Sequence, residues 1–465
     1  MFLFVLPHLA VFLLAMLWLS KRQRRGASLG RLVLAGLLLG VAFGLALQWL
    51  YGFDHPLVND TLNWVNVVGG GYVRLLQMIV MPLVLVSILG ATVKLHDLSA
   101  LGKIGFSVLA VLMVTVAISA AIGIAMAQLF GLSAEGLAQG ARELARGDAL
   151  VGRADQLGEL NLAQMIVGFI PANPFAELTG ARPTSIISVV IFSMLLGLAA
   201  MLLRREEPEV GAKVVAGIEL ASRWVLRLTR MIIRLTPYGV MALMTQVVAT
   251  SNLHDILQLI NFVVASYLGL GLILLLHALL LALGGISPLR FFRKVWPVLT
   301  FAFTSRSSAA SIPLNIDTQV SRLGVDPAIA NFSASFGATI GQNGCAGLYP
   351  AMLAVMIAPT VGVDPMTPGF ILGLIAVVAI SSFGIAGVGG GATFAAIIVL
   401  STLDLPIALA GLLISIEPLI DMGRTAINVN GSMTTGALSS RVLGQTDWQR
   451  FDADDDVHPE PGRSA

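Results

Sequence analysis

Residues 300–315 read TFAFTSRSSAASIPLN, and the fold is decided by what such a stretch can be. Its centre, SRSSAAS at 305–311, carries four serines and an arginine between apolar flanks. A flexible polar turn is the plain reading. Depth argues against it, because apolar helix on both sides leaves the tip either buried in protein or wetted by a cavity. Non-helical backbone is tolerated within a bilayer only in those two settings. Residues 292–320 are therefore expected to form a re-entrant hairpin, two short helices meeting at a polar tip. Free amides at a half-helix N-terminus attract anions, which makes the tip a place for a substrate carboxylate.

The membrane itself follows from composition. Of 465 residues, 56% are hydrophobic and 12% charged, with a mean hydropathy of +0.87, against about 25% charged in a soluble domain. Apolar runs long enough to cross a hydrocarbon core of ~30 Å recur along the chain, so an all-α polytopic membrane protein is expected. A net charge of +2 without a basic stripe argues against a nucleic-acid partner. Cys345 is the only cysteine, which excludes an intramolecular disulfide and a cysteine metal cluster. His8, His55, His96, His254, His277 and His458 are scattered without metal-ligand spacing, and no Walker A sequence is present. Neither a resident metal nor a cofactor is expected.

Positive charge near the membrane marks the cytoplasmic side. The first apolar run is followed, not preceded, by KRQRR at 21–25, so it reads as a retained helix with its N-terminus outside. Crossings are then expected at 30–50, 72–94 and 104–130, with DHPLVNDTLN at 54–63 as an outer connection and the polar stretch 131–160 also outside. PANPFAELTGARPTS, 171–185, should break the start of the next crossing, which ends in RREE. Within 214–250, Arg223, Arg227, Arg230 and Arg234 share one helical face. After a crossing at 259–284, SPLRFFRKVWP is again basic and cytoplasmic. A second re-entrant hairpin is expected at 366–400, and DADDD at 452–456 marks an acidic tail without fixed structure.

The stretch 417–432, EPLIDMGRTAINVNGS, puts charge where a helix centre penalises it by at least roughly 2.5–3.5 kcal/mol per residue. At about 100° per residue, Glu417, Asp421, Arg424 and Asn428 fall on one narrow stripe. An internal ion pair between Asp421 and Arg424 would explain part of this. A site for a zwitterion explains all of it: a carboxylate for an ammonium, a guanidinium fork for a carboxylate, and an amide that donates and accepts. GVGGGA at 387–392 formally matches a dinucleotide fingerprint but lacks the strand and ribose-binding acid that would confirm it. Its glycines fit a hairpin tip that leaves a gate unobstructed.

LLQMIVMPLV, TSRSSAASIP, SFGATIGQNGCAG, AGVGGGAT and IDMGRTAINV together resemble the dicarboxylate/amino acid:cation symporter family, over nearly the whole chain. The resemblance implies a glutamate-transporter-like fold with about nine transmembrane helices, two re-entrant hairpins and a broken helix at the substrate site. It implies an extra N-terminal helix and basic loop at 1–28, a region dominated by scaffold helices at 29–291, a transport-domain core at 292–440 and a tail at 441–465. It also implies a homotrimer working as an elevator in a bacterial inner membrane, with the C-terminus cytoplasmic. By position, Asp421 matches the ammonium ligand and Asn428 the α-carboxylate ligand, with Ser307 and Ser308 at the first tip and Gly387 at the second. Arg424 matches the arginine that holds a side-chain carboxylate, while Thr425 and Cys345 line the pocket.

Within the family the likeness is to bacterial L-cystine uptake systems, so L-cystine import is expected. A glutamate, aspartate or C4-dicarboxylate symporter is the alternative, and an ion channel is the reading from another class. An enzyme using Ser307 or Ser308 as nucleophile lacks a nearby histidine. The sequence departs from the acidic-amino-acid members where Gln342, Asn343 and Cys345 replace their Met, Asp and Thr, and where Ser432 replaces an aspartate. Sodium loses carboxylate ligands there. Thr339 and the carbonyls near Ser382, Phe383 and Ile385 remain for a cation, and Glu417 is the candidate proton carrier. A proton is favoured over sodium as the coupling ion.

Overall fold

The structure, a computed structural model, describes residues 2–27, 29–52, 55–93, 98–134, 164, 167–182, 184–250, 260–383, 385, 391–413 and 416–453. Every regular element among the described residues is helical. The first part of the chain runs through α1 (Phe2–Arg24), α2 (Leu29–Tyr51), α3 (Pro56–Thr92), α4 (Leu98–Leu129), the short α5 (Pro174–Leu178), α6 (Ser185–Glu206), α7 (Pro208–Ile233), α8 (Thr236–Thr250) and α9 (Ile260–Leu283). The second part holds α10 (Pro288–Ser305), α11 (Ser308–Ser321), α12 (Pro327–Gly337), a π-helical segment (Asn343–Leu348), α13 (Tyr349–Ile357), α14 (Pro368–Ser381), α15 (Gly391–Thr402), α16 (Glu417–Val442) and α17 (Trp448–Asp452).

Among the described residues, seven helices are long and apolar enough to cross a membrane. The pair α7 and α8, bent by 47° at its break, makes an eighth if taken as one broken span. α16 is long enough but too polar to be one of the seven.

Two sequence expectations change. The connection expected at 54–63 is helical from Pro56 onward. Proline is favoured at the first helical position, where its missing N–H costs nothing. Val58, Leu62 and Val65 then recur at helical spacing and are buried. The tail expected at 441–465 begins with ordered structure: α16 runs to Val442, and α17 follows with Phe451 buried. Lys294 fixes it, its ammonium donating to the carbonyls of Arg322, Arg450 and Ala453 at 3.1, 3.1 and 2.9 Å. DADDD from Asp454 onward, and most of the polar stretch at 131–160, lie outside the described residues.

The stretch from 300 to 315 forms a helix-turn-helix. α10 ends because Arg306 takes a left-handed backbone (φ 52°), and Ser307 then caps α11, its hydroxyl accepting the Ala310 N–H at 3.1 Å. A side-chain oxygen at this position satisfies one of the orphan amides of a helix start. Further on, Asp326 caps α12 in the same way, accepting from the Ala328 N–H at 2.8 Å. α12 stops at Gly337, Gly341 adopts φ +62°, and helix resumes at Asn343, so the chain is broken for a few residues in the protein interior. α12, the π-helical segment and α16 form the centre of the second part, with α4, α9, α10 and α11 packed around them and α13 lying against α4 and α15.

Candidate functional site

From Asp421 to Ser440, α16 is buried at every position except Ala426. With no lipid to face, such a helix can carry polar groups all round, provided each finds a partner. Arg424 is completely buried. Its Nη2 donates to Glu417 Oε1 at 2.8 Å and to Asp421 Oδ1 at 3.3 Å. The guanidinium carbon sits 4.2 Å from the centre of the Tyr349 ring, and the Tyr349 hydroxyl donates to Glu417 Oε2 at 3.3 Å. Glu417, Asp421 and Arg424 therefore meet as one ion-paired group, the internal pair between Asp421 and Arg424 included. That pair uses only one nitrogen of the fork. Nε and Nη1 of Arg424 have no hydrogen-bond partner among the described residues.

Asn428, one helical turn on, closes the break in the facing chain. Its Oδ1 accepts from the Gly344 and Cys345 N–H groups at 2.7 and 3.3 Å, and its Nδ2 donates to Gln342 Oε1 at 3.1 Å. Gln342 in turn donates to the Ala338 carbonyl at 2.6 Å. Asn428 thus acts as a cap for the resumed helix, satisfying amides left free by the break. Glycine is required at 344, where an added Cβ would lie 2.7 Å from the Arg424 Cα. The Cys345 thiol lies 4.0 Å from Asp421 Oδ1, and Thr425 is buried beside Arg424. Ser307 and Ser308 are buried at the α10–α11 tip, next to Arg306. Gly387 lies outside the described residues.

No hydrogen bond joins Thr339, Ser382 and Ser432 to one another among the described residues. Thr339 donates to the carbonyls of Ser335 and Phe336 within its own turn, at 3.2 and 3.3 Å. At the end of α14, Ser382 donates to the Ala379 carbonyl, Phe383 stacks on Phe169, and Ile385 is fully buried. Ser432 accepts from Asn315 Nδ2 at 2.6 Å, starting a neutral chain through Gln319 to Ser333. An added Cβ at Gly436 would run into Gln319 Oε1, so glycine there leaves room for the chain.

Asn343 leads to a residue that sequence reasoning set aside. Its Oδ1 meets His277 Nε2 at 3.2 Å, while His277 Nδ1 meets Asn430 Nδ2 at 2.9 Å, all fully buried. With these amide orientations the proton sits on Nε2 and Nδ1 accepts. Metal-ligand spacing was the wrong test for His277. The useful signal was an ionisable side chain in an otherwise apolar span, which marks a functional or structural partner by default. Tyr349 was also missed, although it lies four residues after Cys345 on the same helical face. Replacing His277 by Gln, which keeps one of two hydrogen bonds, is expected to cost about 1–3 kcal/mol. Thermal melting of the purified protein measures that loss, and a raised KM would show that Asn343 passes it on to Gly344 and Cys345.

The profile of the Sodium:dicarboxylate symporter family matches residues 29–442. The chain belongs to that family. It is a multi-pass membrane symporter and not an enzyme. An uncharacterized symporter of Haemophilus influenzae is 57% identical to it over 441 residues, covering 95% of this chain and 100% of the relative. The L-cystine uptake protein TcyP of Bacillus anthracis is 51% identical over 448 residues, covering 96% of this chain and 97% of the relative. TcyP of Bacillus licheniformis is 51% identical over 451 residues, covering 97% and 98%.

Proposed function

We propose that the symporter imports L-cystine together with a proton. The observation that carries this reading is the buried Arg424 fork, with Nε and Nη1 unpaired beside Asp421. An unmet buried donor costs about 1–3 kcal/mol, which a bound carboxylate would recover. Cystine is neutral overall and zwitterionic at each end, so one ammonium can pair with Asp421 while the distal carboxylate takes the Arg424 fork. The Ser307–Ser308 tip completes the near end, with Cys345 and Thr425 along the wall. Because Asn428 caps the resumed helix, it contributes by fixing Gly344 and Cys345 as well as by any direct contact. The names of the TcyP relatives agree with this substrate.

Glu417 suits a proton carrier. Its side chain is 21% exposed, so water reaches it, and it holds Arg424 Nη2. Protonating it releases a donor toward the substrate, which links proton binding to substrate binding. The positions where sodium would want carboxylates hold Asn343 and Ser432, both engaged in neutral hydrogen bonds, which supports a proton over sodium. In this reading the symporter has about nine crossings with hairpins at 292–320 and 366–400. It works as a homotrimeric elevator in the inner membrane, with its N-terminus outside, its C-terminus cytoplasmic and the second hairpin as outer gate.

In proteoliposomes, an imposed proton gradient without sodium is expected to drive [35S]cystine accumulation that a protonophore abolishes. Full accumulation driven by sodium at constant pH would overturn proton coupling. Competition by excess glutamate, aspartate or a C4 dicarboxylate, stronger than by unlabelled cystine, would favour the acidic-substrate alternative.

A further inference from the structure

α7 presents an exposed face that the transport site does not use. Lys213, Leu220, Trp224, Arg227 and Met231 recur at intervals of three to seven and are all exposed, with Leu220 at 70% and Trp224 at 78%. Arg223 lies exposed beside them. A groove of about 630 Å³ is lined by Gly217, Leu220, Ala221, Arg223, Trp224 and Arg227. Neither Arg223 nor Arg227 has a hydrogen-bond or ion-pair partner among the described residues, and Glu219, a turn before Arg223, is engaged in an interaction of its own. The helix then meets α8 at the 47° bend.

Three features point to the same occupant. A helix with basic residues, tryptophan and leucine exposed together suits the boundary between head groups and acyl chains. Tryptophan concentrates at that depth, with its ring in the apolar layer and its N–H toward water. Guanidinium groups four residues apart stand one helical turn from each other, and each presents a fork that fits phosphate oxygens. We propose that this groove binds the head group of an anionic phospholipid, with Arg223 and Arg227 on the phosphate and with Leu220 and Trp224 against the upper acyl chain. Glycine at 217 places no side chain at that point of the groove. Lipid charge would then hold α7 at the membrane surface, next to the bend that leads into α8.

Full-length protein is reconstituted in phosphatidylethanolamine vesicles containing either brominated phosphatidylglycerol or brominated phosphatidylcholine. Quenching at Trp224, taken as the difference between wild type and W224F, reports which lipid occupies the groove. Each arginine near an anionic surface is worth a factor of about five in binding, so a preference for phosphatidylglycerol of about 25-fold is expected. R223Q/R227Q should reduce that preference to near unity, while R223K/R227K, which keeps the charge, should retain much of it. Millimolar inorganic phosphate should leave the quenching unchanged. Equal quenching by both lipids in the wild type would overturn the proposal. So would displacement by inorganic phosphate, which would make the groove an anion site without a lipid. A disulfide between copies of W224C would overturn it too, by showing that a second copy covers the face. No readout needs transported substrate, so the result stands apart from the cystine assignment.

Discussion

Arg424→Gln is expected to abolish cystine uptake and to destabilise the protein. The two effects have separate causes. In the resting site Arg424 is the counter-charge for Glu417 and Asp421, with no exposure to water of its own. Removing one partner of a buried ion pair strands the other charge and costs about 3–5 kcal/mol. Glu417, at 21% exposure, recovers part of that through water, while Asp421 cannot. In the occupied site the same change removes a bidentate hold on a carboxylate. Charge-assisted hydrogen bonds contribute about 1.5–3 kcal/mol each, so a loss of a hundredfold or more in apparent affinity is expected. Arg424→Lys separates the causes. A lysine keeps a positive charge near Glu417 and Asp421 but has no planar fork, so thermal stability should be largely restored while uptake stays low. Recovery of uptake in the lysine variant would show that charge balance, and not carboxylate recognition, is the role of Arg424.

The parts of the site that were legible in the sequence are those within one helix. Glu417, Asp421, Arg424 and Asn428 declare themselves by spacing, because a single period fixes which side chains share a face. The α10–α11 tip was legible for a related reason: serines and an arginine between apolar runs leave the backbone few options at that depth. What was not legible came from contacts between distant parts of the chain. Asn428 reads locally as a free amide, yet residues more than eighty positions earlier occupy both its ends. His277 looks like an isolated core histidine until Asn343 and Asn430 are brought against it, and the small Gly431 between them permits that approach. Polarity obscured α16 in another way. A helix shielded by protein on all sides loses the apolar signature by which spans are counted, so composition does not mark α16 as a span.

Asp421→Asn is expected to remove the discrimination between amino-acid disulfides and their deaminated analogues. The substitution keeps the side-chain shape, and its amide oxygen can still accept from Arg424 Nη2, so folding should change little compared with Arg424→Gln. It removes the negative charge that would meet the substrate ammonium in a water-poor pocket. At about 1.5–3 kcal/mol for such a bond, cystine should bind roughly 10- to 150-fold more weakly, since each 1.4 kcal/mol is tenfold. 3,3′-Dithiodipropionate supplies the contrast, because it has the disulfide and both carboxylates but no amine. The wild type should reject it strongly, since it would place a carboxylate near Asp421 with no ammonium to offset the two charges, which is the kind of mismatch a polar site penalises most. In the variant that penalty disappears, and inhibition of [35S]cystine uptake by the two compounds should converge. If dithiodipropionate already competes as well as cystine in the wild type, Asp421 is a partner for Arg424 alone, and the ammonium pole must lie elsewhere in the pocket.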